Sequence, residues 1–118
     1  MKRFMLAFSL LVASVTQADA HAHLVAAMPP VGGEVPSVGE IRLTFSEGVE
    51  VPFSTIKLAN AAGEPLSTPG ATTDPQDGHI LRLLLPKPLE PGAYKLSWSV
   101  VSVDTHHTSG SFTFSVRP

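Results

Sequence analysis

The stretch Tyr94-Lys95-Leu96-Ser97-Trp98-Ser99-Val100 decides the fold, because apolar side chains take every second position and polar ones fill the positions between. A period of two belongs to an extended strand with one buried and one wetted face. The same alternation recurs on both sides of it. Phe112, Phe114 and Val116 stand opposite Thr113 and Ser115, and Ile41-Arg42-Leu43-Thr44-Phe45 reads the same way. Leu81, Leu83 and Leu85 mark another strand, and Ile56 and Leu58 share a face within Phe53 to Ala59. Leu24 to Ala27 is expected to pair as a short first strand. Pro29-Pro30, Gly32-Gly33, Ala62-Gly63, Pro69-Gly70, Asp77-Gly78 and Pro91-Gly92 supply turn chemistry between the runs. The segment Ala59 to Gln76 is the loosest. No helical stretch of ten residues or more is apparent from residue 21 onward. Six or seven short strands predict an all-β domain, a Greek-key β-sandwich or barrel.

The first 20 residues stand apart from this pattern. Lys2 and Arg3 are followed by an apolar run, Phe4 to Val15, and then by a small, polar stretch ending Ala18-Asp19-Ala20. That is the order of a cleavable secretory signal, with the cut expected after Ala20. The run is shorter than the roughly 20 residues a membrane span needs. Residues 1–20 are therefore read as a signal peptide, and residues 21–118 as one exported, periplasmic domain. Setting aside Lys2, Arg3 and Asp19 leaves 6 basic and 9 acidic residues, a net charge of −3. This balance argues against nucleic acid as a partner and supplies no polybasic membrane anchor, so membrane contact is peripheral at most. Cysteine is absent, so no disulfide can staple the domain and no thiolate is available for redox or nucleophilic chemistry.

Chemistry concentrates in the five histidines, His21, His23, His79, His106 and His107. Cleavage before His21 would give that residue a free α-amine beside its imidazole, a pair able to chelate one ion. His23 adds a second imidazole two residues on. Nitrogen-rich, tetragonal donor sets select Cu(II). Near the other end, Asp104 and His106 flank Thr105, and on an extended backbone their side chains would project to one face. His107 would point the other way, and His79 reads as a surface histidine in a turn. Met28 is the only methionine after Ala20, too few for a thioether-rich Cu(I) site. No carboxylate pair or Gly-x-Ser-x-Gly elbow suggests hydrolytic chemistry.

Taken together, these pieces resemble the CopC family of periplasmic copper-binding proteins. The resemblance runs through His21-Ala22-His23-Leu24, the Pro30 to Gly33 turn, Ile41 to Glu47, Leu89 to Tyr94, Trp98 to His106 and Gly110 to Val116. It implies an immunoglobulin-like Greek-key sandwich with a Cu(II) site built from His21, His23, Asp104 and His106. Glu47 is the candidate to accept a hydrogen bond from a ligating imidazole. The methionine-rich loop of some members is missing, so the chain resembles the Cu(II)-only type. The family loop usually reads Asp-Gly-His, and Thr105 replaces that glycine, which puts the loop's backbone in question. The function this implies is a non-enzymatic carrier or buffer of copper in resistance or homeostasis. Its expected partners are the copper ion and a CopD-like inner-membrane transporter or other periplasmic copper proteins. The alternatives are a histidine-brace monooxygenase-like enzyme and an immunoglobulin-like interaction module that binds no metal.

Overall fold

The computed structural model describes residues 22–118; the expected signal peptide and His21 lie outside the described residues. Eight strands follow one another in the chain: β1 (Leu24–Met28), β2 (Glu34–Val35), β3 (Glu40–Phe45), β4 (Thr55–Asn60), β5 (Thr72–Asp74), β6 (Asp77–Leu84), β7 (Gly92–Val101) and β8 (His107–Val116). They form two four-stranded sheets, β1-β3-β6-β5 and β2-β8-β7-β4. Only β5–β6 and β7–β8 follow each other within one sheet as adjacent antiparallel strands, and every other connection changes sheet. The result is the expected Greek-key sandwich. Among the described residues the only helical element is a 3₁₀ turn, Val51–Phe53, which takes Phe53 from the start of the run Phe53 to Ala59 expected to be a strand. Pro52 sits in its first positions and favours the turn, so the strand begins at Thr55.

The alternation read from the sequence becomes the core. Ile41, Leu43 and Phe45 of β3 and Leu81 and Leu83 of β6 are buried from one sheet. Ile56 and Leu58 of β4, Leu96 and Val100 of β7, and Phe112, Phe114 and Val116 of β8 are buried from the other. Registers agree with the pattern: Leu43 faces Leu81, Leu58 faces Leu96, and Tyr94 faces Phe114. Tyr94 stacks on Phe114 with ring centroids 5.6 Å apart. Its hydroxyl donates to the Glu90 carbonyl at 2.6 Å, which satisfies the polar end of a buried ring. Trp98 is half-buried and meets Phe45 edge to face at 5.1 Å. Gly110 lies beneath that indole, and a Cβ there would come within 2.7 Å of Trp98 Cζ2.

Two strands escape the sequence pattern, and one turn moves. β2 has two residues, too few to show a period, and is held by parallel pairing with β8. β5 is polar and lies inside the segment expected to be loose. Asp77-Gly78 is not the turn that was expected. The chain turns at Pro75-Gln76, with Asp74 paired to Asp77, so Asp77, Gly78 and His79 open β6. The Asp74 carboxylate accepts the Gln76 amide at 2.9 Å and shapes that turn.

The wetted face of the first sheet carries a cross-strand charge ladder. Arg82 Nε donates to Glu40 Oε2 at 2.6 Å, and Arg42 donates to Glu40 at 3.3 Å and to Asp74 at 3.0 Å. Glu40 is held below the usual carboxylate range, chiefly by its hydrogen bond from Arg82, with Arg42 adding and partial burial opposing. A depressed carboxylate contributes stability that is present above its unfolded-state pKa and lost as pH falls through the folded value. Thermal melts should therefore show Tm falling below about pH 4.3, and Glu40→Gln should flatten that fall. Gly110→Ala should cost about 1–3 kcal/mol, because Trp98 must shift; urea unfolding followed by Trp98 fluorescence reads it.

Candidate metal centre

The candidate residues gather at one end of the sandwich, where β3 and β7 finish and β1, β6 and β8 begin. The crossover from β3 toward β4 runs through the middle of this end. Ser46 N–H donates to the His23 carbonyl at 2.9 Å, and the His23 amide donates back to Ser46 Oγ at 2.8 Å. Two residues on, the Gly48 carbonyl accepts the Val103 amide at 2.9 Å, and Val49 bridges Ser102. Val49 N–H donates to the Gly78 carbonyl at 3.0 Å. The crossover thus joins the His23 segment, the Val103–His106 loop and the start of β6. Glu47 lies half-exposed within it. A second tie comes from β8, where Thr108 Oγ1 donates to the Ala22 carbonyl at 3.0 Å.

The Val103–His106 segment is a turn rather than extended chain. Asp104 and His106 meet for a different reason from simple alternation. Asp104 Oδ1 accepts the His106 amide at 3.3 Å, and Oδ2 stands 3.2 Å from His106 Nδ1. The carboxylate caps the turn and reaches the ring two residues ahead. Ser102, fully buried, donates its hydroxyl to Asp104 Oδ1 and its amide to the His106 carbonyl at 2.9 Å. The Asp104 carboxyl is held below its ordinary range, mainly by the Ser102 hydroxyl; His106 adds to this, and partial burial opposes it. It is therefore an anion at neutral pH, ready to bind a cation.

Two ligands at metal–nitrogen and metal–oxygen distances of roughly 2.0–2.2 Å lie about 2.9 Å apart at a right angle and about 3.4 Å apart at a tetrahedral one. The 3.2 Å between Asp104 and His106 falls between these limits. Among the described residues no group of three or more His, Asp or Glu side chains gathers to hold an ion. The described portion presents a chelating pair, with His23 on the neighbouring segment. His23, Trp98, His107 and Thr108 line an open depression of about 510 Å³. His107 Nε2 lies 2.7 Å from Ser99 Oγ across β7, on a separate hydrogen bond from the Asp104 pair. His79 pairs instead with Asp77.

Sequence reading missed Ser46, Ser102 and Thr108, whose hydroxyls tie the segments together. The spacing Ser102-x-Asp104-x-His106 was the available signal. Thr105 takes the position of greatest strain, with φ of +72°. A β-branched residue is costly in that left-handed region, and the penalty is about 1–2 kcal/mol. Glycine escapes it but loses about 0.4–1 kcal/mol through the freedom it adds to the unfolded chain. Thr105→Gly is therefore expected to raise stability by up to about 1 kcal/mol, measured by chemical unfolding, and a drop would refute the strain argument.

Comparison with known proteins follows the same geometry. The CopC domain family matches residues 24–117. The chain is 42% identical over 99 residues to Protein YobA of Escherichia coli K12, covering 83% of this chain and 80% of that one. It is 35% identical over 105 residues to Copper resistance protein C of Pseudomonas syringae pv. tomato, covering 85% and 83%. The crystal structure of CopC from Methylosinus trichosporium OB3b superposes with a TM-score of 0.77 at 31% identity, over 83% of this chain and 95% of that one.

Proposed function

The chain belongs to the CopC domain family, and from that premise we propose that it is an exported Cu(II) carrier that holds one ion between His21, His23, Asp104 and His106. The observation that carries this reading is the Asp104–His106 pair, 3.2 Å apart, beside the chain that leads back to His23. His21 is two residues further up that chain and outside the described residues. The names of the relatives support copper as cargo: Copper resistance protein C at 35% identity is one of them. Donor chemistry supports the divalent ion. Amine and imidazole nitrogens with one carboxylate suit Cu(II), and no cysteine competes for Cu(I).

In this reading the signal peptidase makes a ligand. Cutting after Ala20 exposes the His21 α-amine, whose ordinary pKa of about 7.7–8.0 means that it must lose its proton to coordinate. Asp104 arrives already ionised, because Ser102 stabilises the anion. Glu47, on the crossover between the two halves of the site, is the residue proposed to orient a ligating imidazole. The domain does no bond-making chemistry; it captures the ion in the periplasm and passes it on, in copper tolerance or supply. A CopD-like inner-membrane protein is the partner class that fits this role.

The test uses protein that begins at His21, titrated with Cu(II) and read by EPR and by quenching of the sole tryptophan, Trp98. One tight equivalent is expected. Losing an outer partner of a metal ligand costs roughly 10–100-fold in affinity, so losing a ligand should cost at least as much. His106→Ala should show this loss, and so should a version carrying one extra residue before His21. Equal binding by the extended version would sink the terminal-amine site.

A further inference from the structure

A second Asp-x-His spacing, Asp77-Gly78-His79 at the start of β6, lies at the same end of the sandwich, outside the four proposed ligands. Asp77 Oδ1 accepts the His79 amide at 2.9 Å and stands 3.1 Å from His79 Nδ1. The carboxylate–ring contact matches that of Asp104 and His106, which stand 3.2 Å apart, although there the backbone turns and here it is strand. Both side chains of the second pair are about half exposed, at 47% and 50%. The 3.1 Å separation again falls between the spacings of two cis ligands on one ion, about 2.9 Å at a right angle and about 3.4 Å at a tetrahedral angle. An ion can therefore take the position of the proton shared by carboxylate and ring, while the ring keeps its proton on Nε2. The backbone need not move.

The electrostatic surroundings supply an independent reason. The Gly78 carbonyl accepts the Val49 amide, and the adjacent Gly48 carbonyl accepts the Val103 amide, so the two Asp-x-His segments flank one crossover. The segments that meet here, residues 22–28, 46–54, 77–80 and 99–110, contain Glu47, Glu50, Asp77 and Asp104 and no lysine or arginine. Basic side chains lie elsewhere, with Arg42 and Arg82 committed to the ladder with Glu40 and Asp74. Four carboxylates on described segments that hold no lysine or arginine raise the local concentration of cations.

We propose that Asp77 and His79 form a second, weaker and rapidly exchanging site for a borderline divalent cation, Cu(II) or Zn(II). It has two protein ligands, with water completing the coordination shell. It collects ions at the pole that carries the principal site. The two sites share no side chain, so this proposal does not depend on the four-ligand assignment of the principal one.

Processed protein beginning at His21 is titrated with Cu(II) beyond one equivalent and, separately, with Zn(II) while the histidine ring resonances are followed by NMR. A second equivalent, at least tenfold weaker than the first, is expected, and under Zn(II) the His79 ring signals should shift in fast exchange. His79→Ala should remove that equivalent and leave the first intact. Asp77→Asn keeps an oxygen to accept the His79 amide but removes the charge, and should weaken the second equivalent at least about fivefold. His106→Ala should do the reverse of His79→Ala, losing the first equivalent and keeping the second. The proposal is overturned if no second equivalent binds, if it survives His79→Ala in protein whose thermal melt is unchanged, or if the His79 ring is unmoved by Zn(II).

Discussion

The hydrogen bonds of one short crossover, Ser46 to Val49, are the constraint on which this end of the molecule depends. Each side of the segment is committed: Ser46 to His23, Gly48 to Val103, and Val49 to Gly78. A connection between two sheets could be an exposed loop with its amides facing water. Here it acts as a strut, and its backbone groups satisfy those of three other segments. Residues more than 20 positions apart are thereby held in one place. Val49 is buried and anchors the strut to the core. Rigidity in the packed sandwich therefore passes directly to the polar end.

The division of labour between the two polar regions follows from their charges. The ladder on the outer face of the first sheet is self-neutralising: Arg42 and Arg82 meet Glu40 and Asp74 across strands. It can add to stability but has no charge left to recruit a ligand. Among the described residues, the segments that meet at the end carrying the histidines hold four carboxylates and no lysine or arginine. There the Asp104 carboxylate accepts the Ser102 hydroxyl and the His106 amide. Such donors keep a carboxylate ionised without cancelling its attraction for a cation. Without cysteine, the domain draws its stability from packing rather than from disulfides.

Thr105 shows the compromise that a binding turn can demand. Its positive φ lets the chain reverse sharply enough for the Asp104 carboxylate to meet both the amide and the ring of His106. The cost of that conformation is met by the interactions that define the turn: Thr105 N–H to the Ser102 carbonyl at 2.7 Å and Ser102 N–H to the His106 carbonyl at 2.9 Å. Asp77-Gly78-His79 reaches the same carboxylate–ring contact with glycine in the middle, and without a positive φ. One sequence spacing thus reaches one chelating geometry by two backbone routes.

Composition and period two were enough to establish an all-β domain, its long strands and the inward faces of those strands. Burial is dictated residue by residue once the chain is extended, as Leu43, Leu81, Leu96 and Phe114 show. Spacing made Asp104 and His106 a candidate pair and the family resemblance singled them out, although the reason for their meeting was a turn rather than extended chain. The two-residue β2 and the polar β5 were illegible, because their pairing is decided by neighbours and not by their own pattern. The Pro75-Gln76 turn was hidden for the same reason, since register chose it over Asp77-Gly78. Only the tertiary structure brought Ala22 to Thr108 and His23 to Ser46, contacts that span 86 and 23 positions. A one-dimensional pattern records which face a side chain prefers. Which distant segments share an end of the sandwich is settled by sheet order and by the hydrogen bonds that close it.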